Sequence, residues 1–318
     1  MTNEEWLALA ATACNHAGAE YEKIEIVATW EQQYCANAVY CLDNERYLKI
    51  FGPTSERQFH FERAALQKLA EQNEIPAPRI ITANERTGSR PYLIMTGVPG
   101  STAENVWDDL PRSNQLAIAR ELGTITAAIH RLPYDDFAAV EQAFGGRSEH
   151  IRAYQPRLTE LVKRTESLST QYRDDMIRFL QIEAQEHLEE LTHLTHSELA
   201  HNHIYLAKED RGAKSWTVSG FIDWADAMLG PPEWDVTFLW FWTFSRDQEA
   251  MRECLQTLYT DGRPPERFAR RCLAAILHTH SGPGLWMEFI DQGGGRSISI
   301  ERELTDYLFP QELFGPPD

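Results

Sequence analysis

The chain has 318 residues, 42% of them hydrophobic and 25% charged, which suffices to bury one large core or two modest ones and matches an ordinary globular protein. Thirty basic residues against 48 acidic ones leave a formal net charge of −18, a balance that disfavours nucleic acid and anionic membranes and favours cationic ligands or plain solubility. No apolar run approaches the ~18 residues of a membrane span, and the start Met1-Thr-Asn-Glu-Glu-Trp-Leu-Ala-Leu-Ala10 is acidic where a signal peptide is basic, so a cytoplasmic location is expected. The five cysteines (Cys14, Cys35, Cys41, Cys254, Cys272) are scattered and form no CxxC, which points away from a disulfide framework or a cysteine zinc site and towards free thiols.

Residues 3–17 place Trp6, Leu7, Leu9, Ala10, Ala13 and Cys14 at helical spacing behind the capping residues Thr2 and Asn3, and predict a first helix ending at Gly18. The pattern then shifts to short β-type runs, Ile24–Val27, Ala38–Leu42 and Tyr47–Phe51, with turn residues at Asp43-Asn-Glu45, which predict an antiparallel meander. Ser55–Gln72 restores the helical period and Ile75-Pro-Ala-Pro78 stops it; Ile80-Ile81 and Tyr92–Met95 read as further strands. Gly97-Val-Pro-Gly100 breaks the pattern, and helical periodicity dominates from there to about residue 190, including Asn114–Arg131 and the charged stretch Ser148–Leu191. Gly293-Gly-Gly295 reads as a loop and Pro316-Pro317 as a loose tail. The expectation is a small mixed lobe over 1–96, a hinge at 97–100, and a larger helical lobe over 101–318.

Two acid-bearing segments carry the chemistry. Leu194-Thr-His-Ser-Glu-Leu-Ala-His-Asn-His-Ile-Tyr205 and Phe221-Ile-Asp-Trp-Ala-Asp-Ala-Met-Leu-Gly-Pro-Pro-Glu-Trp-Asp235 each read as a short apolar strand running into a carboxylate, an arrangement suited to an acid and a metal-binding Asp on either side of one phosphate. Asp223 is the candidate magnesium ligand, since hard cations prefer carboxylate oxygen. Glu198 is the candidate acceptor of a substrate hydroxyl proton, and the His203 imidazole, five residues on, a further metal ligand. Lys49, in the middle of an apolar strand, needs a partner if it points inward, and Glu62 on the next helix is placed to supply one; the alternative is an outward lysine on an edge strand.

In this order, with the hinge-like Tyr92–Gly100 and Leu122-Gly-Thr-Ile-Thr-Ala-Ala-Ile-His-Arg-Leu-Pro133, the chain resembles the aminoglycoside phosphotransferase and choline kinase-like family over about residues 20 to 245. The resemblance implies a two-lobed protein-kinase-like α+β fold, a small N-terminal lobe with an antiparallel sheet and a larger, mainly helical C-terminal lobe. It implies ATP or GTP as co-substrate, with Mg2+ as cofactor. By the same likeness Lys49 binds the α- and β-phosphates braced by Glu62, and the backbone around Met95, Gly97 and Val98 receives the purine. Asp223 is the principal magnesium ligand and Asp235 a structural acid bonding the catalytic loop. His196-Ser-Glu198 stands where the family has His-Gly-Asp. His203 stands at the family's metal-binding Asn position, where macrolide kinases also carry a His; a one-residue slip makes Asn202 the ligand instead. The loop expected over the nucleotide, Thr29–Asn37, contains no glycine.

The expected activity is therefore transfer of a γ-phosphate to a hydroxyl of a small, cationic or sugar-like acceptor, an antibiotic such as an aminoglycoside or macrolide. Asp108, Asp109, Asp226, Glu233, Trp234, Trp240, Trp242 and Trp286 are candidates for holding it, against core or surface roles, and His278, His280 and the turn Ser281-Gly-Pro-Gly284 could line its cleft. Phe238–Phe244 is apolar on all sides and reads as a buried helix. Two other readings remain: a pseudokinase that binds nucleotide or a partner without catalysis, and a metal-binding protein built on the histidine-dense run His187, His193, His196, His201 and His203. Neither a nucleic acid nor a membrane partner is expected, and the sequence does not reach the oligomeric state.

Overall fold

A computed structural model describes residues 1–31, 35–72, 74–87, 90–145, 170–179, 193–208, 215–277, 282–292, 294 and 300–315. The chain divides into two compact units, Met1–Val106 with Asn202–Ala227, and Trp107–His201 with Met228–Asp318. This grouping differs from a boundary at 97–100, because the segment carrying His203 and Asp223 packs with the N-terminal residues.

In the first unit, helix α1 (Asn3–Ala17) opens on a reciprocal cap: the Glu5 N–H donates to the Thr2 hydroxyl and the Thr2 N–H donates to the Glu5 carboxylate at 2.7 Å. Two donors that a helix start leaves open are thereby satisfied. Strands β1 (Ile24–Ala28), β2 (Asn37–Leu42) and β3 (Arg46–Phe51) follow as the expected meander, with Asp43 and Asn44 at positive φ in the tight turn. After α2 (Glu56–Ala70) come β4 (Ile80–Thr87) and β5 (Arg90–Thr96), and the antiparallel sheet runs β1-β2-β3-β5-β4. Alternation sends Tyr40, Leu48, Ile50, Tyr92 and Ile94 to one face, where they form a core with Trp6, Ala10, Ala13 and Cys14 of α1. The opposite face carries Lys49 and Phe51, and the Phe51 ring meets Phe59 of α2 edge-on at 5.3 Å.

Beyond β5 the chain bends at Gly100, whose φ is 100° and where a Cβ would come within 2.1 Å of the Leu206 carbonyl oxygen. That close approach lets β6 (Ser101–Thr102) pair with a later strand, before the short helix α3 (Ala103–Val106). After β7 (His193–Thr195) of the second unit, β8 (Ile204–Lys208) and β9 (Trp216–Phe221) complete a three-stranded sheet ordered β6-β8-β9.

The second unit is mainly helical: α4 (Arg112–His130), α5 (Asp135–Ala143), α6 (Thr170–Arg178), α7 (Glu233–Phe238), α8 (Gln248–Leu258), α9 (Phe268–Leu277), α10 (Gly282–Asp291), α11 (Ile300–Leu308) and α12 (Gln311–Phe314). Strand β10 (Met228–Gly230) pairs with β7. The run Phe238–Phe244 is buried as expected apart from the half-buried Trp242, but α7 loosens into a π-helical turn over Leu239–Thr243, and the Trp240 indole donates to the Leu308 carbonyl at 2.9 Å. Gly282–Gly284 opens α10 rather than forming a free turn. The expected helix over 148–191 lies outside the described residues except for α6; His187, His278, His280, Ser281, Gly293, Gly295, Pro316 and Pro317 also lie outside them.

Helices α4 and α8 approach closely at Gly123, where a Cβ would lie 2.2 Å from the Cys254 carbonyl oxygen. Gly123→Ala must separate the two helices, and we expect it to lower unfolding free energy by about 1–3 kcal/mol despite alanine's better helix propensity. Urea denaturation measures this; a stabilised variant would contradict the close packing.

Candidate functional site

Lys49 lies on the central strand β3, opposite Val39 and Leu93, and is only 5% exposed. It is not an outward edge-strand lysine. Its Nζ sits 2.7 Å from Glu62 Oε2 and 2.7 Å from Asp223 Oδ1. Burial works against the ammonium's charge, but the carboxylates of Asp223 and Glu62 outweigh it and hold its pKa above the ordinary lysine range. Glu62 is 2% exposed, and burial pushes its pKa up to about 7 against the pull of Lys49.

Asp223 reaches this position because β9 ends at Phe221 and the Ile222 N–H donates to the His203 carbonyl at 3.0 Å. Its φ of 63° is left-handed, a conformation that costs an ordinary residue about 1–2 kcal/mol and that Asp tolerates better than most. The 3-10 turn Trp224–Asp226 follows, with the buried Trp224 indole donating to the Phe221 carbonyl at 3.0 Å. Asp226 accepts from Gln58 Nε2 at 3.2 Å, which ties this turn to α2.

A cavity of about 540 Å³, open solvent at its mouth included, lies beside the Lys49 cluster. Val39, Pro78, Met95, Val98 and Ile222 give it apolar walls; Lys49, Glu62 and Asp223 give it a charged end. Tyr47, Thr96 and Tyr205 also line it, and β-alternation, which puts Tyr47 on the Lys49 face, is the signal that could have found the first. The placement of Gly97 differs from expectation: it does not line the cavity, and its N–H is taken by the Glu45 carbonyl at 2.6 Å. The Thr96 N–H is likewise taken by the Arg79 carbonyl.

Carboxylate oxygen and imidazole nitrogen are a chemically apt donor pair for a divalent cation, and they meet here: His203 Nε2 lies 3.9 Å from Asp223 Oδ2. The alternative ligand Asn202 is exposed. Asp223 and His203 would offer one oxygen and one nitrogen donor to such a cation.

The other acid-bearing segment belongs to the second unit. Asp235, fully buried on α7, accepts from the His196 N–H at 3.2 Å through Oδ2 and from the Ser197 N–H at 2.8 Å through Oδ1. The same Oδ2 lies 2.9 Å from His130 Nε2 at the end of α4. Asp235 thus pins the turn immediately before Glu198, which is half-buried. Sequence reasoning misses the role of His130, although it sits in the Ile-His-Arg-Leu-Pro segment; a hydrogen bond to a residue 105 positions away leaves no local signature.

Glu233 and Trp234 are interior residues. Glu233 is 1% exposed and paired with Arg271 at 2.6 Å, and a Cβ on Gly230 would come within 2.0 Å of the Trp234 ring. Trp240 and Trp286 are buried, Trp242 is half-buried and Asp108 and Asp109 are exposed.

Among the described residues the histidines do not assemble. His193 packs against His130, His201 Nδ1 contacts the Trp242 carbonyl and His203 approaches Asp223. Among the described residues, no three His, Cys, Asp or Glu side chains group to hold a metal, so the histidine-cluster reading has no support there. Among the same residues no helix is long and apolar enough to cross a membrane.

A family model described as "Phosphotransferase enzyme family" matches residues 35–271 of the 318. Solved structures with the same fold include the GDP complex of wild-type aminoglycoside 2'-phosphotransferase-IIIa, with a TM-score of 0.62 and 14% identity over 95% of this chain and 97% of that one. The streptomycin-ATP-APH(2")-IIa ternary complex matches with a TM-score of 0.56 and 14% identity over 97% of this chain and 96% of that one. A thermostable mutant of APH(4)-Ia in complex with ADP and hygromycin B gives 0.53 and 15%, over 94% and 96%. At these identities the likeness concerns the two-lobed α+β fold.

Proposed function

Since this chain belongs to the phosphotransferase enzyme family, we propose that it is a small-molecule kinase passing the γ-phosphate of ATP or GTP to a hydroxyl of a cationic or sugar-like acceptor, an antibiotic such as an aminoglycoside or macrolide. One observation carries this reading: a buried lysine clamped between two carboxylates at the charged end of an apolar-walled cavity. The similar solved structures, described as holding GDP, ADP or ATP and aminoglycosides such as kanamycin, gentamicin and streptomycin, support the nucleotide and the acceptor class.

In this reading the apolar walls take the purine and Lys49, kept charged and oriented by Glu62, takes the α- and β-phosphates. Asp223 and His203 would hold magnesium, which when bound would supply positive charge to neutralise that of the nucleotide phosphates. Glu198 orients the acceptor hydroxyl and takes its proton. Phosphoryl transfer needs little from this base, because positioning and charge neutralisation supply most of the rate, so the longer Glu suffices. An acceptor with ammonium groups also suits a chain of net charge −18.

The test is incubation with ATP or GTP, magnesium and a panel of aminoglycosides and macrolides, followed by mass spectrometry for a phosphorylated acceptor. We expect product with at least one acceptor and its loss in Glu198→Ala. The inactive-scaffold alternative draws on the Glu at position 198, and it wins if nucleotide binds but no acceptor is modified and slow hydrolysis is unaffected by Glu198→Ala.

A further inference from the structure

The turn that presents Glu198 is held from two sides, and only one of them is the Asp235 carboxylate. Ser197 has a φ of 67°, a left-handed conformation in which glycine is the low-strain residue. Its hydroxyl lies 2.7 Å from Thr195 Oγ1, and Thr195 Oγ1 lies 3.0 Å from the Met228 carbonyl oxygen. A carbonyl has no proton to give, so the single Thr195 proton goes to Met228. Thr195 therefore accepts at its other contact, and Ser197 donates. The direction of both bonds is fixed, and the chain Ser197 to Thr195 to Met228 anchors the turn to the β7–β10 pair. Thr195 is fully buried, so water does not compete for it.

We propose that Thr195 and Ser197 are positioning residues for phosphoryl transfer, forming a hydroxyl clasp that fixes the backbone from which Glu198 projects. The proposal rests on the reading that Glu198 takes the acceptor proton. A glutamate has one more rotatable bond than an aspartate, so its carboxylate scatters more widely for the same backbone freedom. Fixing the preceding residue through its side chain as well as its N–H removes part of that scatter, and misplacement of a reacting group by about 1 Å costs up to ~100-fold in rate.

The experiment compares the full chain with Ser197→Ala, Thr195→Val, Thr195→Ser, Glu198→Ala and the double variant Ser197→Ala/Glu198→Ala. It measures magnesium-dependent hydrolysis of ATP and GTP, and transfer to kanamycin as the probe acceptor, alongside melting temperature. Ser197→Ala and Thr195→Val should lower kcat by roughly 10-fold or more with the nucleotide KM nearly unchanged, while Thr195→Ser, which keeps the hydroxyl, restores it. In the Glu198→Ala background the Ser197 change should have no further effect on kcat. Lower melting temperatures with an unaltered kcat, or equal losses of kcat with and without Glu198, overturn the clasp alone. Turnover that does not depend on Glu198 overturns the reading of that residue and the clasp with it. Should Thr195→Val not fold, Ser197→Ala carries the same comparison at a half-buried position.

Discussion

Lys49→Met should destabilise the protein by about 3–5 kcal/mol at pH 8.5, and by distinctly less at pH 5.5, because removing one partner of a buried ion pair strands the other. The stranded group is Glu62, buried and further disfavoured by the neighbouring Asp223 carboxylate. Its pKa, already pushed up to about 7 with Lys49 present, rises further without the ammonium. A carboxyl whose folded pKa exceeds its unfolded value binds its proton more tightly when folded. Stability from this group is therefore greatest below the unfolded value of 4.5 and is lost as pH rises through the folded pKa. The same slope is present in the parent protein, but should continue to higher pH in the variant. Lys49 does not confuse the comparison, since its own raised pKa keeps it charged throughout this window. Urea denaturation at pH 5.5, 7 and 8.5 measures both curves. A pH-independent difference between them would place the burial cost elsewhere.

Asp223→Asn should separate activity from stability. Turnover with magnesium should fall by about 100- to 1,000-fold or more, because a neutral amide neither neutralises a divalent cation nor holds Lys49 as an ion pair. Folding should change by less than about 1 kcal/mol, since Asn tolerates left-handed φ as Asp does. One effect even favours the variant: the Asp223 charge raises the pKa of Glu62, and its removal eases ionisation of that buried carboxyl. Paired measurements of kcat and unfolding free energy check this. A variant that loses activity only because it unfolds would contradict the assignment of Asp223 to the metal.

These two sites differ in how far the sequence announces them. Lys49 is legible because a charge in an apolar β run must find a partner, and the register of a two-residue period puts it on the face that α2 covers. The antiparallel meander, α1 with its Thr2 cap, and α4 follow from equally local rules. The grouping of Asn202–Ala227 with the N-terminal unit depends instead on β6, two residues long, pairing with Leu206 and Tyr205 about a hundred positions away. No periodicity can be read from two residues. Glu233 shows the same limit from another side: it reads as an exposed or ligand-binding acid, and only the fold brings Arg271 to neutralise it in the interior. The Gly97 N–H is consumed by the Glu45 carbonyl, just ahead of the neighbouring strand β3, which spacing cannot reveal. Ser197 is the subtlest case, because its departure from glycine looks like damage until Thr195 is seen to accept its hydroxyl.

The most direct measurement is binding of ATP and GTP by thermal shift, with and without magnesium, in the parent protein, Lys49→Met and Asp223→Asn. The account predicts that a nucleotide at about 100 times its Kd stabilises the parent by about 2.7 kcal/mol, that magnesium is needed for the full effect, and that both variants lose most of it. An equal shift in all three proteins, indifferent to magnesium, would mean that the Lys49, Glu62 and Asp223 cluster is an internal brace rather than a phosphate site.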